Sequence, residues 1–145
     1  MKLARGALPL LLALHACCSS AAAQGYDVVV YGATSTGIMA ALGAANASKT
    51  SHLKIALLAV GGAPVGGMTT GGLADVDTGP RTICGGFSRE FFLRVGEVYT
   101  GKRVFMRKGQ ECKVSQRVYD QLLAEVSEQV TLLRVVGTQA TRRCV

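Results

Sequence analysis

Two glycine-rich segments hold the residues of this sequence best suited to phosphate binding. They read "GATSTG" at residues 32–37 and "GGMTTGG" at residues 66–72. Glycine lets the main chain approach a ligand without a Cβ clash, and serine and threonine add hydroxyl groups for phosphate or ribose oxygens. The two segments therefore favour binding of an extended ligand that carries phosphate. A Gly-rich surface loop is the alternative reading of the second segment.

Other kinds of site have little material in this sequence. His52 is the only histidine after residue 23, and no C-x-x-C motif occurs. A zinc site or a Ser/His/Asp triad needs more ligands or bases than this chain offers. We therefore predict no metal site, and no residue is assigned as catalytic.

The first glycine segment lies between a predicted strand and a predicted helix. Residues 27–31 form a β-branched run that is typical of a strand buried on both faces of a parallel sheet. In a strand–turn–helix unit the helix N-terminus points at the turn, where a pyrophosphate binds well. Gly32 permits the tight turn and Gly37 lets the helix pack close to the strand, but Thr34 replaces the usual middle glycine. Taken alone, the pattern is equally compatible with an ordinary strand-to-helix turn. The apolar stripe of the helix, which ends near Asn46, contains Ile38, Met39, Ala41, Leu42 and Ala45.

A second buried strand is predicted at residues 53–60. A dinucleotide-binding fold normally follows this strand with an Asp or Glu that binds the adenosine ribose. Here no carboxylate lies between Asp27 and Asp75, and the expected position, near Ala59 or Val60, is apolar. The sequence retains the phosphate-binding half of the signature and lacks the ribose-binding half.

The rest of the chain continues an α/β pattern. Residues 85–99 predict a helix, and residues 115–129 predict a second one with Ser115 as N-cap and Val118, Leu122 and Val126 inward. Residues 130–136 predict a third parallel strand. The predicted inward residues of the first of these helices are Phe87, Phe91, Val95 and Val98.

Read together, "YDVVVYGATSTG", "VGGMTTGGLADVDTG" and "CGGFSREFFLRVG" resemble the secreted FAD-dependent oxidoreductase family. The similarity covers residues 26–136, and the segment at 66–72 is its most specific part. The resemblance implies an α/β fold, a glutathione-reductase-like Rossmann-type domain with a parallel sheet, and FAD as cofactor. It places the first segment at the FAD pyrophosphate and the second along the cofactor toward the flavin. The positions that carry over are Gly32, Ala33, Thr34, Ser35, Thr36, Gly37, Gly66, Gly67, Met68, Thr69, Thr70, Gly71 and Gly72.

Two departures from the family bear on function. Thr34 matches the family, but the family's ribose-binding glutamate aligns with Val60. The family's proteins are also much longer. We therefore expect an incomplete domain, the N-terminal cofactor-binding part of a secreted FAD-dependent oxidoreductase whose substrate is unknown. The alternative is a non-catalytic secreted module with a vestigial nucleotide-binding fold, which the missing acid favours.

Residues 1–23 have the layout of a secretory signal peptide. Lys2 and Arg5 precede an apolar run at residues 7–16, and small residues precede Gln24. The run is too short to span a membrane, so we predict secretion, no stable membrane span and a mature domain at residues 24–145. A buried N-terminal helix and lipid attachment at Cys17 are the alternatives.

Composition and short motifs add further expectations. The hydrophobic content of 49% suits a globular core. Without the signal peptide the chain has 14 basic and 9 acidic residues, and its densest basic run, at residues 101–113, lacks interleaved aromatics. We therefore predict a solvated face and no nucleic-acid partner. Cys84, Cys112 and Cys144 permit at most one internal disulfide, and Asn46 begins a glycosylation sequon.

Overall fold

The computed structural model describes residues 25–48, 50–73, 75–77 and 79–135. The predicted signal peptide and Cys144 lie outside these residues. The described chain forms a parallel sheet of three strands in the order β1-β2-β3, with three helices and two short 3-10 turns. The elements are β1 (Val28–Tyr31), α1 (Ser35–Ala47), β2 (Ile55–Val60), the 3-10 turns Gly67–Thr69 and Arg81–Ile83, α2 (Gly86–Thr100), α3 (Cys112–Ala124) and β3 (Val130–Val135).

The core forms where α1 lies across all three strands. Ile38 and Ala41 of this helix and Ile55 and Leu57 of β2 are completely buried. Helices α2 and α3 pack against α1 and against each other. The predicted α/β fold class is confirmed, because parallel strands joined by crossover helices form a Rossmann-like arrangement.

One face of the sheet is open in the described part of the chain. Val29 and Tyr31 of β1 are 58% and 78% exposed, and they alternate with the half-buried Val28 and Val30. The prediction that β1 is buried on both faces is therefore wrong for the described residues. All of these side chains are apolar, but their exposure alternates along the strand because α1 covers only the side to which Val28 and Val30 point.

Helix α2 buries a face slightly different from the predicted one. Phe91 and Val95 are buried as expected, and Phe87 is half-buried, but Val98 is 38% exposed. Phe92 is buried instead. Its ring packs edge-on against Phe91 at 5.3 Å, and it meets Phe105 from the loop after the helix at 5.0 Å. The returning loop therefore shifts the buried face toward Phe92.

Helix α3 begins earlier than predicted. The Glu111 carbonyl already accepts hydrogen bonds from the amides of Val114 and Ser115, at 2.9 and 3.0 Å. Glu111 is therefore the N-cap residue, and Ser115 lies inside the helix and is completely buried. The assignment of Ser115 as N-cap is wrong. Val118 and Leu122 are buried as predicted, and Val126 lies beyond the helix end and is half-buried.

An ion-pair network centred on Glu90 connects α2 to its neighbours. Glu90 accepts hydrogen bonds from Arg94, one turn along the helix, and from Arg103 in the following loop. Arg94 also binds both carboxylate oxygens of Glu125, just after α3. The hydrogen bond from Arg103 lowers the pKa of the Glu90 carboxyl more than partial burial raises it, and Arg94 lowers it further.

We expect Glu90→Gln to lower the free energy of unfolding by about 1 kcal/mol or less at pH 7, because the network is partly exposed. The lowered pKa of Glu90 means that its stabilisation is complete above the ordinary value of 4.5 and is lost as the pH falls through the folded-state pKa. Urea unfolding of both proteins at pH 7 and pH 3 should therefore show a difference that shrinks in acid. Glu97→Gln is the control, because Glu97 lies 3.7 Å from Arg103 and makes no other ion pair in the described chain. A difference for Glu90→Gln that persists unchanged at pH 3 would contradict this account.

Candidate functional site

The first glycine segment forms the turn from β1 into α1. Gly32 has φ +98°, which glycine adopts readily, and its amide donates to the Leu58 carbonyl at 3.0 Å. Thr34 is the N-cap of α1, since its hydroxyl accepts a hydrogen bond from the Gly37 amide at 3.3 Å. The residue that replaces the middle glycine of the fingerprint therefore has a structural role as a helix cap.

Gly37 allows the close approach between turn and helix. A Cβ at this position would lie 1.9 Å from the carbonyl oxygen of Gly32, much closer than atoms can come. The predicted reason for glycine here is confirmed. Because of this contact, the N-terminus of α1 lies directly at the end of β1, where its first N–H groups have no partner within the helix.

The two predicted segments are in direct contact. The Gly66 amide donates to the Ala33 carbonyl at 2.8 Å, and Thr34 and Gly66 form an isolated parallel bridge. The Ser35 hydroxyl donates to the Gly66 carbonyl at 2.7 Å. Residues that lie about thirty positions apart in the chain therefore form one continuous main-chain surface at the N-terminus of α1.

Three hydroxyl groups lie close together beside this surface. The hydroxyls of Ser35 and Thr69 are 2.8 Å apart, and the phenol of Tyr119 in α3 is close enough that both hydroxyls affect its pKa. Since Ser35 gives its one proton to Gly66, the Thr69 hydroxyl is the donor toward Ser35. The hydrogen bond between Thr69 and Ser35 therefore connects the 3-10 turn of the second segment to α1, and the Tyr119 ring of α3 packs beneath the same segment at Gly66.

Tyr119 is buried beneath the second segment. Its side chain is 2% exposed, and its ring stacks on Phe91 with centroids 4.5 Å apart. Burial raises the pKa of the Tyr119 phenol more than the neighbouring hydroxyls of Ser35 and Thr69 lower it. The phenol is therefore neutral at physiological pH.

Some glycines of the second segment are required by contacts within the protein, and another leaves space in which a ligand can approach the main chain. A Cβ on Gly66, which has φ +100°, would lie 2.5 Å from Thr70 and 2.8 Å from the Tyr119 ring. A Cβ on Gly71 would lie 3.0 Å from the Gly67 carbonyl oxygen. At Gly72, with φ +132°, a Cβ would meet open space. Approach to a ligand therefore remains an explanation for Gly72, whereas protein contacts explain Gly66 and Gly71.

The two threonines of the second segment already make hydrogen bonds within the protein. Thr70 donates to the Val65 carbonyl at 2.7 Å and lies 3.2 Å from the Gly67 carbonyl, so its proton is used inside the loop. Thr69 is part of the hydroxyl cluster. Met68, which precedes both threonines, is 74% exposed. The hydroxyls hold the shape of the loop, and their remaining lone pairs can only accept hydrogen bonds from a ligand.

The position at which the sequence lacks the expected acid lies at the end of the second strand, as predicted. Val60 is the last residue of β2 and is half-buried. Gly61 and Gly62 follow with φ +70° and +71°, and a Cβ on either would meet open space. The end of β2 is therefore open to a ligand, but it presents an apolar side chain.

A cavity of about 310 Å³ lies beside the hydroxyl cluster. Among the residues that the structure describes, no charged side chain lines it. Its polar groups are hydroxyls, and its apolar walls come mainly from α2 and from Met39 of α1. A larger groove of about 710 Å³ between α2 and α3 is lined mostly by charged side chains and contains none of the predicted site residues. The smaller cavity is therefore the one associated with the site. Its lining residues are Ser35, Thr36, Met39, Thr69, Val76, Ser88, Phe91, Phe92 and Tyr119.

A family model described as FAD dependent oxidoreductase matches residues 27–143. The chain belongs to this family. FAD is the cofactor of FAD-dependent oxidoreductases, as the sequence resemblance implied. Searches of curated proteins and of solved structures found no match to the chain. Within the described residues, no helix is long and apolar enough to cross a membrane.

The residues of the site fit the cofactor of an FAD-dependent oxidoreductase. Gly32 and Gly72 both have positive φ and both face open space, which leaves room for a ligand along the main chain. The N-terminus of α1, which follows the turn at Gly32, suits a pyrophosphate. Sequence reasoning missed Tyr119, although residues 115, 118, 119 and 122 have the i, i+3, i+4, i+7 spacing of a buried helix face.

Proposed function

We propose that the chain holds FAD across the turn at residues 32–37 and the segment at residues 66–72, as the cofactor-binding part of a secreted oxidoreductase. The observation that carries this proposal is the direct contact between the two segments through Gly66, Ala33 and Ser35. One extended ligand could touch both segments at once. The turn would bind the pyrophosphate, and Gly67, Met68 and Gly72 would border the path toward the flavin.

FAD, when bound, supplies the redox chemistry, and the chain supplies position and electrostatics. The N-terminus of α1 would neutralise part of the pyrophosphate charge through its N–H groups and dipole. The Tyr119 ring would support Gly66 from beneath, and Ser35 would hold Gly66 and Thr69 by hydrogen bonds, so that the second segment stays against α1. The uncharged cavity beside them would accept an apolar or neutral part of a ligand more readily than an ionic one.

The test of cofactor binding is a titration of the purified chain with FAD, followed by flavin fluorescence and the visible spectrum. We expect saturable changes with FAD and none of comparable size when NADH or NADPH is titrated and followed by its own fluorescence. The absence of a saturable signal, or equal binding of NADH, would refute the proposal. It would then favour a non-catalytic module with a vestigial nucleotide fold, to which the apolar Val60 already points.

Secretion is proposed from the layout of residues 1–23. When the whole chain is expressed in a secreting cell, we expect protein in the culture medium whose first residue is Gln24, as determined by N-terminal sequencing. An intact Met1 terminus on protein retained in the cytosol would refute it.

We expect Val60→Glu to tighten FAD binding. A carboxylate at the end of β2 would accept hydrogen bonds from the ribose hydroxyls, and a charged hydrogen bond is worth about 1.5–3 kcal/mol, or roughly ten- to a hundred-fold in affinity. The side chain is half-buried at a strand end beside two glycines that face open space, so a glutamate can reach solvent. FAD titration and thermal melting of both proteins check the effect. Leu58→Glu, on the same strand, is the control and should bring no gain in FAD affinity. If Val60→Glu lowers the melting temperature and does not bind FAD more tightly, the assignment of Val60 to the ribose position is wrong.

A further inference from the structure

The glycosylation sequon lies at the C-terminal end of α1. It consists of Asn46, Ala47 and Ser48, and Asn46 is the only asparagine in the sequence. Asn46 lies in the last turn of the helix with its side chain exposed, whereas Ser48 is only 1% exposed. The acceptor amide and the hydroxyl that defines the sequon therefore differ sharply in accessibility.

The folded chain holds Ser48 through both its main chain and its side chain. Its hydroxyl donates to the Ala45 carbonyl at 3.1 Å and accepts from the side-chain Nε2 of Gln129 at 3.3 Å. Its own carbonyl accepts from the amides of Ser51 and His52, each at 2.9 Å. A transferase that recognises Asn-x-Ser needs the serine hydroxyl, so the folded structure hides half of the signal.

We infer that Asn46 is a site of N-linked glycosylation which is filled while the chain enters a eukaryotic secretory pathway, before α1 has folded. This inference rests on the proposed secretion. In the reaction, Nδ2 of Asn46 forms a bond to the anomeric carbon of an oligosaccharide carried on a lipid pyrophosphate. The bond between that carbon and the pyrophosphate oxygen breaks, the lipid pyrophosphate leaves, and the amide loses one proton. No electrons are exchanged with an oxidant or reductant.

The glycan would stand clear of the cofactor site. The site lies at the N-terminus of α1, and Asn46 lies in the last turn of this helix. At 1.5 Å per residue, the two are separated by about 17 Å along the helix axis. FAD affinity should therefore be the same for the glycosylated and the deglycosylated protein.

To test this inference, the full chain is translated in vitro in the presence of endoplasmic-reticulum microsomes. We expect a single slower-migrating band that is protected from added protease and disappears after treatment with an endoglycosidase. Asn46→Gln removes only the exposed acceptor and should remove the slower band while the chain stays protected. Chains that are protected but do not shift would overturn the glycosylation alone, whereas chains left unprotected would overturn both secretion and glycosylation.

A second measurement tests the timing. The purified unglycosylated chain is offered to solubilised transferase and lipid-linked oligosaccharide, once folded and once unfolded in urea and diluted immediately before the assay. We expect modification of the unfolded chain and little of the folded one, because folding buries Ser48. Equal modification of both samples would overturn the inference that the site is filled only before folding.

Discussion

Replacement of Gly37 with alanine is expected to lower the free energy of unfolding by about 3 kcal/mol or more. The new Cβ would lie 1.9 Å from the Gly32 carbonyl oxygen, and that oxygen belongs to the main chain and cannot rotate away. To accommodate the methyl group, the N-terminus of α1 must move away from the end of β1. FAD affinity should fall in parallel, because the same movement separates the turn from the helix.

Gly43→Ala provides a matched control within α1. A Cβ at Gly43 would meet no atom within 4 Å, so this change should stabilise the helix by about 1 kcal/mol. Chemical unfolding and FAD titration of the two variants give the comparison. A Gly37→Ala protein as stable as the Gly43→Ala protein would show that the turn does not need the close contact.

Truncation of Tyr119 to alanine is expected to cost about 3–5 kcal/mol of stability, as for other buried aromatic residues. The ring stacks on Phe91 and lies against Gly66, so its removal leaves a cavity beneath the second glycine segment. Tyr119→Phe keeps the ring and removes only the hydroxyl. We expect it to cost about 1 kcal/mol and to weaken FAD binding, because the polar group next to the Ser35 and Thr69 hydroxyls is removed from the cavity that they line together.

Tyr99→Phe is the control for the lost hydroxyl. The Tyr99 hydroxyl accepts a hydrogen bond from the Glu111 amide at 2.8 Å, and the residue is 39% exposed and lies outside the cavity beside the cluster. This variant should leave FAD affinity unchanged. If Tyr119→Phe also leaves FAD affinity unchanged, while Tyr119→Ala is unstable, Tyr119 contributes to the core alone.

Much of the fold could be predicted because its signals are local. The β-branched runs and apolar stripes predicted three parallel strands and three helices, and the glycine segments indicated a candidate site. The contact between Gly66 and Ala33 could not be predicted, because it depends on how the chain returns after β2. The burial of Phe92 depends in the same way on the loop that contains Phe105.

Two further features show why local patterns are insufficient. Gly96 weakens a helix by its propensity, yet a Cβ there would lie 1.9 Å from the Val104 carbonyl oxygen, so glycine is required by the returning loop. The apolar residues of β1 predict a strand buried on both faces, but the sequence does not indicate on which side of the sheet the helices lie. Val29 and Tyr31 are exposed for that reason.

The burial of Tyr119 beneath Gly66 also determines how the glycine segment moves. A loop held only by surface contacts opens on its own, and its amides exchange with solvent through local fluctuations. Here, separation of the segment from α1 would break the hydroxyl cluster and expose an aromatic ring of the core. Amide protons near Gly66 should therefore exchange with deuterium almost as slowly as those of β2, so that the segment and the core open as one cooperative unit.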